Sequence, residues 1–204
     1  MTAVEHTSSY SDYEARTRAI ETLLYERGIV TPSAVDEMVN EYENNLGPMR
    51  GAKVVARSWA DPKYRAWLLK DSTAAIAEMG YAGEQAHQIA AVECTPEVHH
   101  VVVCTLCSCY PWPVLGLPPA WYKSMAYRSR MVADPRGTLQ NDFGMEIPKD
   151  VAVQVWDSSS EVRYIVIPER PSGTEGWAED QLVDLVTRDS MIGTGKALTP
   201  AAAK

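Results

Sequence analysis

Three of the four cysteines in this chain fall within six positions, Cys104-Thr105-Leu106-Cys107-Ser108-Cys109. Thiolate is the nucleophilic and metal-ligating form of cysteine, and a C-x-x-C-x-C run lets three sulfurs face one point. Left bare, three thiolates repel one another or oxidise, so a soft or borderline transition metal is their natural occupant. Two other readings stay open on residue types alone. A disulfide with a spare thiol belongs to oxidising compartments, whereas Met1-Thr2-Ala3-Val4-Glu5-His6 opens polar with no apolar stretch behind it, and a cytoplasmic setting is expected. Structural zinc usually takes four N or S ligands from two separated pairs. Here a second C-x-x-C is missing, and the remaining donors are Cys94, His87, His99 and His100, so zinc is poorly served.

The spacing Cys107-Ser108-Cys109 makes a tight chelate in which the amide nitrogens of Ser108 and Cys109 lie between sulfurs. A strongly polarising trivalent ion held by those sulfurs can displace the amide protons and bind nitrogen directly. Three sulfurs and two amide nitrogens leave a sixth octahedral position for substrate or water. An open position is what a Lewis-acid catalyst needs.

The run Val103-Cys104-Thr105-Leu106-Cys107-Ser108-Cys109-Tyr110-Pro111-Trp112-Pro113, followed by Val114-Leu115-Gly116-Leu117-Pro118-Pro119, resembles the metal-binding signature of the nitrile hydratase α subunit. The resemblance extends from about residue 11 to about residue 190. It implies that Cys104 stays a thiolate while Cys107 and Cys109 are oxidised to sulfinic and sulfenic acids, with the amides of Ser108 and Cys109 completing a claw. Cobalt-type members carry Thr where this chain has Thr105, and iron-type members carry Ser. One non-corrin Co(III) per chain is therefore the implied cofactor, and hydration of a small nitrile to its amide the implied reaction. Cobalt would polarise the nitrile or activate water, and the Cys109 sulfenate oxygen is a further candidate nucleophile.

The resemblance also assigns neighbours. Gln85 matches a glutamine near the active centre of the family. Asp157 and Glu161 match paired carboxylates placed around the claw, and Arg163 matches a further position near it. Sequence alone gives two acids in a turn to solvent, and Tyr110 and Trp112 are open to either a pocket wall or plain core. His99 and His100 alternate faces on a strand and read as satisfied histidines, and Cys94 as a small buried thiol.

These residues need a scaffold. A chain of 204 residues, 46% hydrophobic and 23% charged, holds one substantial core. A net charge of -8 argues against nucleic acid as a partner, and no apolar run approaches the roughly 20 residues that cross a membrane. Ser11-Asp12-Tyr13-Glu14 is a capping box that predicts a helix up to Gly28. Thr31-Pro32 predicts a second helix carrying Val35, Met38, Val39, Tyr42 and Leu46 and stopped by Gly47. Asp61-Pro62 predicts a third, on to Gly80. Strands are expected over Gln88–Glu93 and Val98–Val103, a helix over Ala120–Val132, a hairpin of Val151–Trp156 and Val162–Ile167, and a last helix over Trp177–Arg188. The reading is α+β. An N-terminal helical arm spans 1–50, a layered α/β-sheet domain of αββα type carrying the claw spans 51–192, and a flexible tail spans 193–204.

The claw itself contains no base, yet sulfenate and sulfinate oxygens need hydrogen-bond donors if buried. In the family, arginines of a β subunit fill that role, in heterodimers or α2β2 heterotetramers, and a cobalt-delivery activator protein loads the metal. The acidic arm, nine Asp and Glu against four Arg in residues 1–50, suits a wrap around such a partner. Two rival readings remain: the metal-bearing subunit of thiocyanate hydrolase, which carries the same kind of claw, and a non-catalytic metal or redox module with a closed site.

Overall fold

A computed structural model of the chain describes residues 11–41, 46–81 and 88–200. Residues 11–41 belong to one compact unit and 46–200 to a second.

The first unit carries α1 (Asp12–Glu26) and α2 (Pro32–Asn40). The capping box forms as expected: the Glu14 amide donates to Ser11 Oγ at 3.4 Å and the Ser11 amide to Glu14 Oε2 at 2.7 Å. Thr31 caps α2 through the Ala34 amide. Neither helix buries a residue within this unit, and Tyr13, Ile20, Leu23, Met38 and Val39 are exposed. Tyr42, expected on the stripe of the second helix, lies outside the described residues.

The second unit opens with a helix that is not among those expected, α3 (Met49–Ala60). It buries Gly51, Ala52, Val54, Val55, Ala56, Ser58 and Trp59. Its helical period is present in the sequence, with Arg50, Lys53 and Arg57 along the side left unburied. The long helix expected from Asp61 to Gly80 is two, α4 (Pro62–Lys70) and α5 (Ser72–Glu78). Asp71, at φ −147 and ψ 79, ends the first and caps the second through the Ala74 amide at 3.1 Å.

Strands β1 (Gln88–Glu93) and β2 (Val98–Val103) occupy the expected residues, as do β3 (Ala152–Asp157) and β4 (Val162–Ile167) within one position. Their pairing differs from expectation. β3 and β4 are not a hairpin: β1 pairs with β4 and β2 with β3, both parallel, in two small sheets. The connection after β3 explains the difference. The Ser158 amide extends the ladder by donating to Val103 O at 2.7 Å, and Ser159 then turns the chain, its amide donating to Val162 O. The chain thus steps from one sheet to the other, as it does at the Thr95–Val98 bridge between β1 and β2. The outer edge of β1 is occupied by α5: the Ala91 amide donates to Ser72 Oγ at 2.7 Å and the Ile89 amide to Thr73 Oγ1 at 3.0 Å.

Beyond β2 come the short helix α6 (Trp112–Leu115), a 3-10 turn (Ala120–Lys123), α7 (Met125–Ala133) and α8 (Pro135–Phe143). The single helix expected over Ala120–Val132 is interrupted at Ser124, whose hydroxyl caps α7 through the Tyr127 amide. Asp134 caps α8, and Gly144 ends it in the left-handed conformation. Trp121, Tyr122, Tyr127 and Phe143 pack ring on ring beneath the β2 end.

Of the last expected helix, over Trp177–Arg188, only α9 (Glu179–Val183) forms, and a further short helix, α10 (Arg188–Ile192), begins where it was to end. Residues 193–198, placed in the tail on sequence, are tied to the core. Gly193 sits at φ +88, where a Cβ would stand 2.0 Å from His100 O, so only glycine fits. His99 Nε2 bonds Gly193 O at 2.7 Å, Thr194 is buried, and the Leu198 amide donates to Leu185 O.

Candidate metal centre

Strand β2 delivers the first cysteine. Val101, Val102 and Val103 are buried, and Cys104 follows them with no exposed surface. The chain then leaves the sheet through Leu106, 87% exposed, and returns to the core at Cys109. This excursion folds three sulfurs together. Cys104 Sγ lies 3.6 Å from Cys107 Sγ, and Cys107 Sγ 3.1 Å from Cys109 Sγ, and all three lie within 4.8 Å of one another. No other group of three metal-binding side chains comes together among the described residues.

The electrostatics of the cluster favour loss of one proton first. Cys107 is exposed, and hydrogen bonds from the thiols of Cys109 and Cys104 hold its pKa below the ordinary thiol value. The backbone amides of Ser108 and Cys109 reinforce that shift. Burial pushes the Cys109 thiol up, to about 12, and the sulfur of Cys107 adds to it. Three charges within 4.8 Å are stable only with a cation among them. The donors present, three clustered sulfurs, suit a thiophilic transition metal, and Cys107 is exposed to solvent.

The loop is fixed at both ends. Val103 and Asp157 are register partners across β2 and β3. Asp157 reaches the claw from that position: its Oδ1 accepts from the Thr105 amide at 2.9 Å and its Oδ2 from Thr105 Oγ1 at 2.6 Å. At the far end Tyr122, fully buried, donates its hydroxyl to Cys109 O at 3.0 Å. Burial raises the Tyr122 pKa far above the ordinary phenol value, and the Ser158 hydroxyl partly opposes that shift. The phenol therefore stays protonated and remains a donor.

Of the residues expected around the claw, Cys104, Cys107, Ser108, Cys109 and Asp157 come together. Glu161 is exposed in the turn before β4, where its amide bonds Ser159 Oγ, and no described contact carries it to the sulfurs. Arg163 lies on β4 opposite Ile89, half-buried, its Nε buried without a partner and its pKa lowered by burial. No described contact joins it to the claw either. Gln85 and His87 lie outside the described residues. Tyr110 is core, its ring 5.1 Å from that of Tyr122. Trp112 is 37% exposed. Three of the other zinc donors are engaged away from the claw: Cys94 is buried beside His99, His99 is taken by Gly193 O, and His100 Nδ1 accepts from Trp156 Nε1 at 2.8 Å. Tyr122 and Ser158 carried no signal in the sequence, because nothing local marks a tyrosine or serine as the partner of a distant carbonyl.

Comparison with known proteins agrees with this geometry. Residues 11–195 match the family model for the nitrile hydratase α chain. The chain is 71% identical over 196 residues to the high-molecular-weight cobalt-containing nitrile hydratase subunit α of Rhodococcus rhodochrous, covering 96% of this chain and 97% of that one. It is 41% identical over 195 residues to the γ subunit of thiocyanate hydrolase from Thiobacillus thioparus, covering 90% and 79% respectively. Among solved structures, a double mutant of the Fe-type nitrile hydratase of Comamonas testosteroni Ni1 superposes with a TM-score of 0.87 at 37% identity, covering 97% of this chain and 96% of that one.

Proposed function

This chain belongs to the nitrile hydratase α-chain family, and on that footing we propose that it carries the cobalt centre of an enzyme that hydrates small nitriles to amides. The observation that carries the proposal is the loop that gathers Cys104, Cys107 and Cys109 within 4.8 Å and leaves Cys107 exposed. The cobalt-containing relative at 71% identity supports the choice of metal, and Thr105 agrees with it.

Bound cobalt would supply Lewis acidity. What the chain supplies is the shape and charge around it. Cys104, rooted at the end of β2, gives a buried sulfur, while Cys107 and Cys109 with the amides of Ser108 and Cys109 close the chelate. Asp157 holds Thr105, and through it the rising limb of the loop. In this reading dioxygen oxidises Cys107 to the sulfinic and Cys109 to the sulfenic acid, which would weaken their donation and sharpen the acidity of the metal. Gln85, Glu161 and Arg163 orient substrate and water around the claw, as the family resemblance implies.

An α chain of this family works with a β partner. In our reading that partner forms a heterodimer or α2β2 heterotetramer, covers Leu106 and Trp112, and brings donors to the oxidised sulfurs. An activator protein delivers the cobalt in the reducing cytoplasm, where the thiols stay free until loading. No helix among the described residues is long and apolar enough to cross a membrane.

The test is coexpression with the β subunit in cobalt or iron medium, followed by metal analysis, intact mass and assay on acrylonitrile and thiocyanate. We expect one cobalt per chain, three added oxygens, nitrile hydration in the cobalt protein and poor activity in the iron protein. Zinc content with no added oxygen overturns the proposal in favour of a closed metal module. Hydrolysis of thiocyanate without nitrile hydration assigns the chain to the thiocyanate hydrolase branch.

A further inference from the structure

The claw has two ends, and the same corner of the fold holds both. Its first end is the terminus of β2, clamped by Asp157. Its last residue, Cys109, lies outside any strand and is followed by Tyr110-Pro111, where no ladder fixes the backbone. The described bond that reaches the Cys109 carbonyl comes from the Tyr122 hydroxyl at 3.0 Å. Tyr122 is suited to hold a fixed position. It sits on a 3-10 turn after Pro118 and Pro119, has no exposed surface, and is wedged against the rings of Tyr110 at 5.1 Å and Tyr127 at 5.8 Å. Ser158 follows Asp157 directly, is 3% exposed, and is pinned by its own amide on Val103 O at 2.7 Å and by the Tyr164 amide on its hydroxyl at 3.4 Å.

We propose that Tyr122 is a positioning residue for the reaction: its hydroxyl holds the Cys109 carbonyl and so the direction in which the Cys109 sulfur and amide face the metal. Asp157 at one end and Tyr122 at the other thus anchor one hexapeptide. A drift of the Cys109 peptide changes the donor geometry of the chelate without removing a ligand, and groups acting at one remove from a metal typically alter activity by about 10–100-fold.

This inference rests on the cobalt reading above, and the experiment separates the two. The cobalt-loaded complex with the β subunit is prepared as parent, Tyr122→Phe, a variant with 3,5-difluorotyrosine at position 122, and Tyr64→Phe. Tyr64 is a control because it too is buried and donates its hydroxyl to a backbone carbonyl, that of Ala75, far along the chain from the claw. Cobalt per chain, the sulfur-to-cobalt absorption band, kcat and KM are measured. Tyr122→Phe is expected to keep most of its cobalt, shift the band, and lose about tenfold in kcat with KM little changed. Should Tyr122→Phe fail to fold, the difluorotyrosine variant, whose phenol is a stronger donor of nearly the same shape, decides the matter by whether its band shifts. A Tyr122→Phe or difluorotyrosine protein whose band and per-cobalt kcat equal those of parent and Tyr64→Phe overturns the inference. A parent without cobalt or nitrile hydration overturns the cobalt reading instead.

Discussion

Replacing Asp157 separates a clamp from a solvated acid. The carboxylate lies at the surface end of β3 and takes two hydrogen bonds from one residue, 2.9 Å from the Thr105 amide and 2.6 Å from its hydroxyl. Hydrogen bonds to a charged acceptor contribute about 1.5–3 kcal/mol when buried. Exposure and salt reduce that, so about 1–2 kcal/mol for the pair is the working figure. In Asp157→Ala both bonds go, and since 1.4 kcal/mol is a factor of ten, the anchored loop should lose roughly tenfold in population. Asp157→Asn keeps an oxygen for the amide and offers an NH2 that the threonine hydroxyl can accept, so its loss should be only about threefold, the cost of exchanging a charge-assisted bond for a neutral one. Thr105→Val removes the 2.6 Å bond alone. In the Asp157→Ala background it should add little, because its partner is already gone. The assay is kcat for acrylonitrile and cobalt per chain in the β-subunit complex, with cobalt retained or partly lost. Asp157→Ala with parental kcat and cobalt, or strictly additive effects in the cycle with Thr105→Val, would refute the clamp and return Asp157 to solvent.

Alanine at Cys104, Cys107 or Cys109 should abolish cobalt retention and nitrile hydration together, and a Cys109→Ala protein hydrating acrylonitrile at the parental rate excludes the claw as the site. Gly193→Ala forces a Cβ to within 2.0 Å of His100 O at φ +88. Calorimetry should show a loss of about 2 kcal/mol, roughly 4–8 °C in Tm for a domain of this size, and an unchanged Tm would show that the α10 turn relaxes freely. Burial lowers the pKa of His99 below its ordinary value. Unfolded chain then binds the proton more readily than folded chain, so His99 contributes stability above about pH 6.5 that is lost as pH falls toward the depressed folded value. Chemical denaturation from pH 7.5 to 5 should show a shallower acid slope in His99→Gln than in parent, and parallel slopes would exclude this contribution.

What the sequence disclosed and what it withheld divide along chain distance. The claw was legible because its chemistry lies in the spacing of three cysteines over six residues, and the four strands were legible because alternation and bounding turns are local. The pairing was not. A short connection between β3 and β4 reads as a hairpin until the Ser158 amide is seen to extend the ladder onto Val103. Asp71 and Ser124 looked like helix interior, and in the fold each leaves the helical region and caps the next helix. α3 has the period of an amphipathic helix, Arg50, Lys53 and Arg57 facing away from a buried side, but no side-chain cap at Pro48 announces its start. Asp157 was found through a family likeness. Tyr122, thirteen residues from the carbonyl it holds, belongs to the packing and had no local signature.

The hydroxyls of Ser72 and Thr73 on the edge of β1 have a consequence for the life of the chain before assembly. An unpaired strand edge is a template on which another copy can add. Here the outward amides of Ile89 and Ala91 already have acceptors. A newly made chain waiting for its partner and its metal is thereby barred from growing by strand addition at that edge. Its sticky region is instead the claw rim, Leu106, Trp112 and Leu117, which is exposed in the free chain. Storage of the isolated chain should therefore yield amorphous, detergent-reversible clumps rather than fibres with a cross-β repeat, and the same rim that clumps is the one a partner would cover.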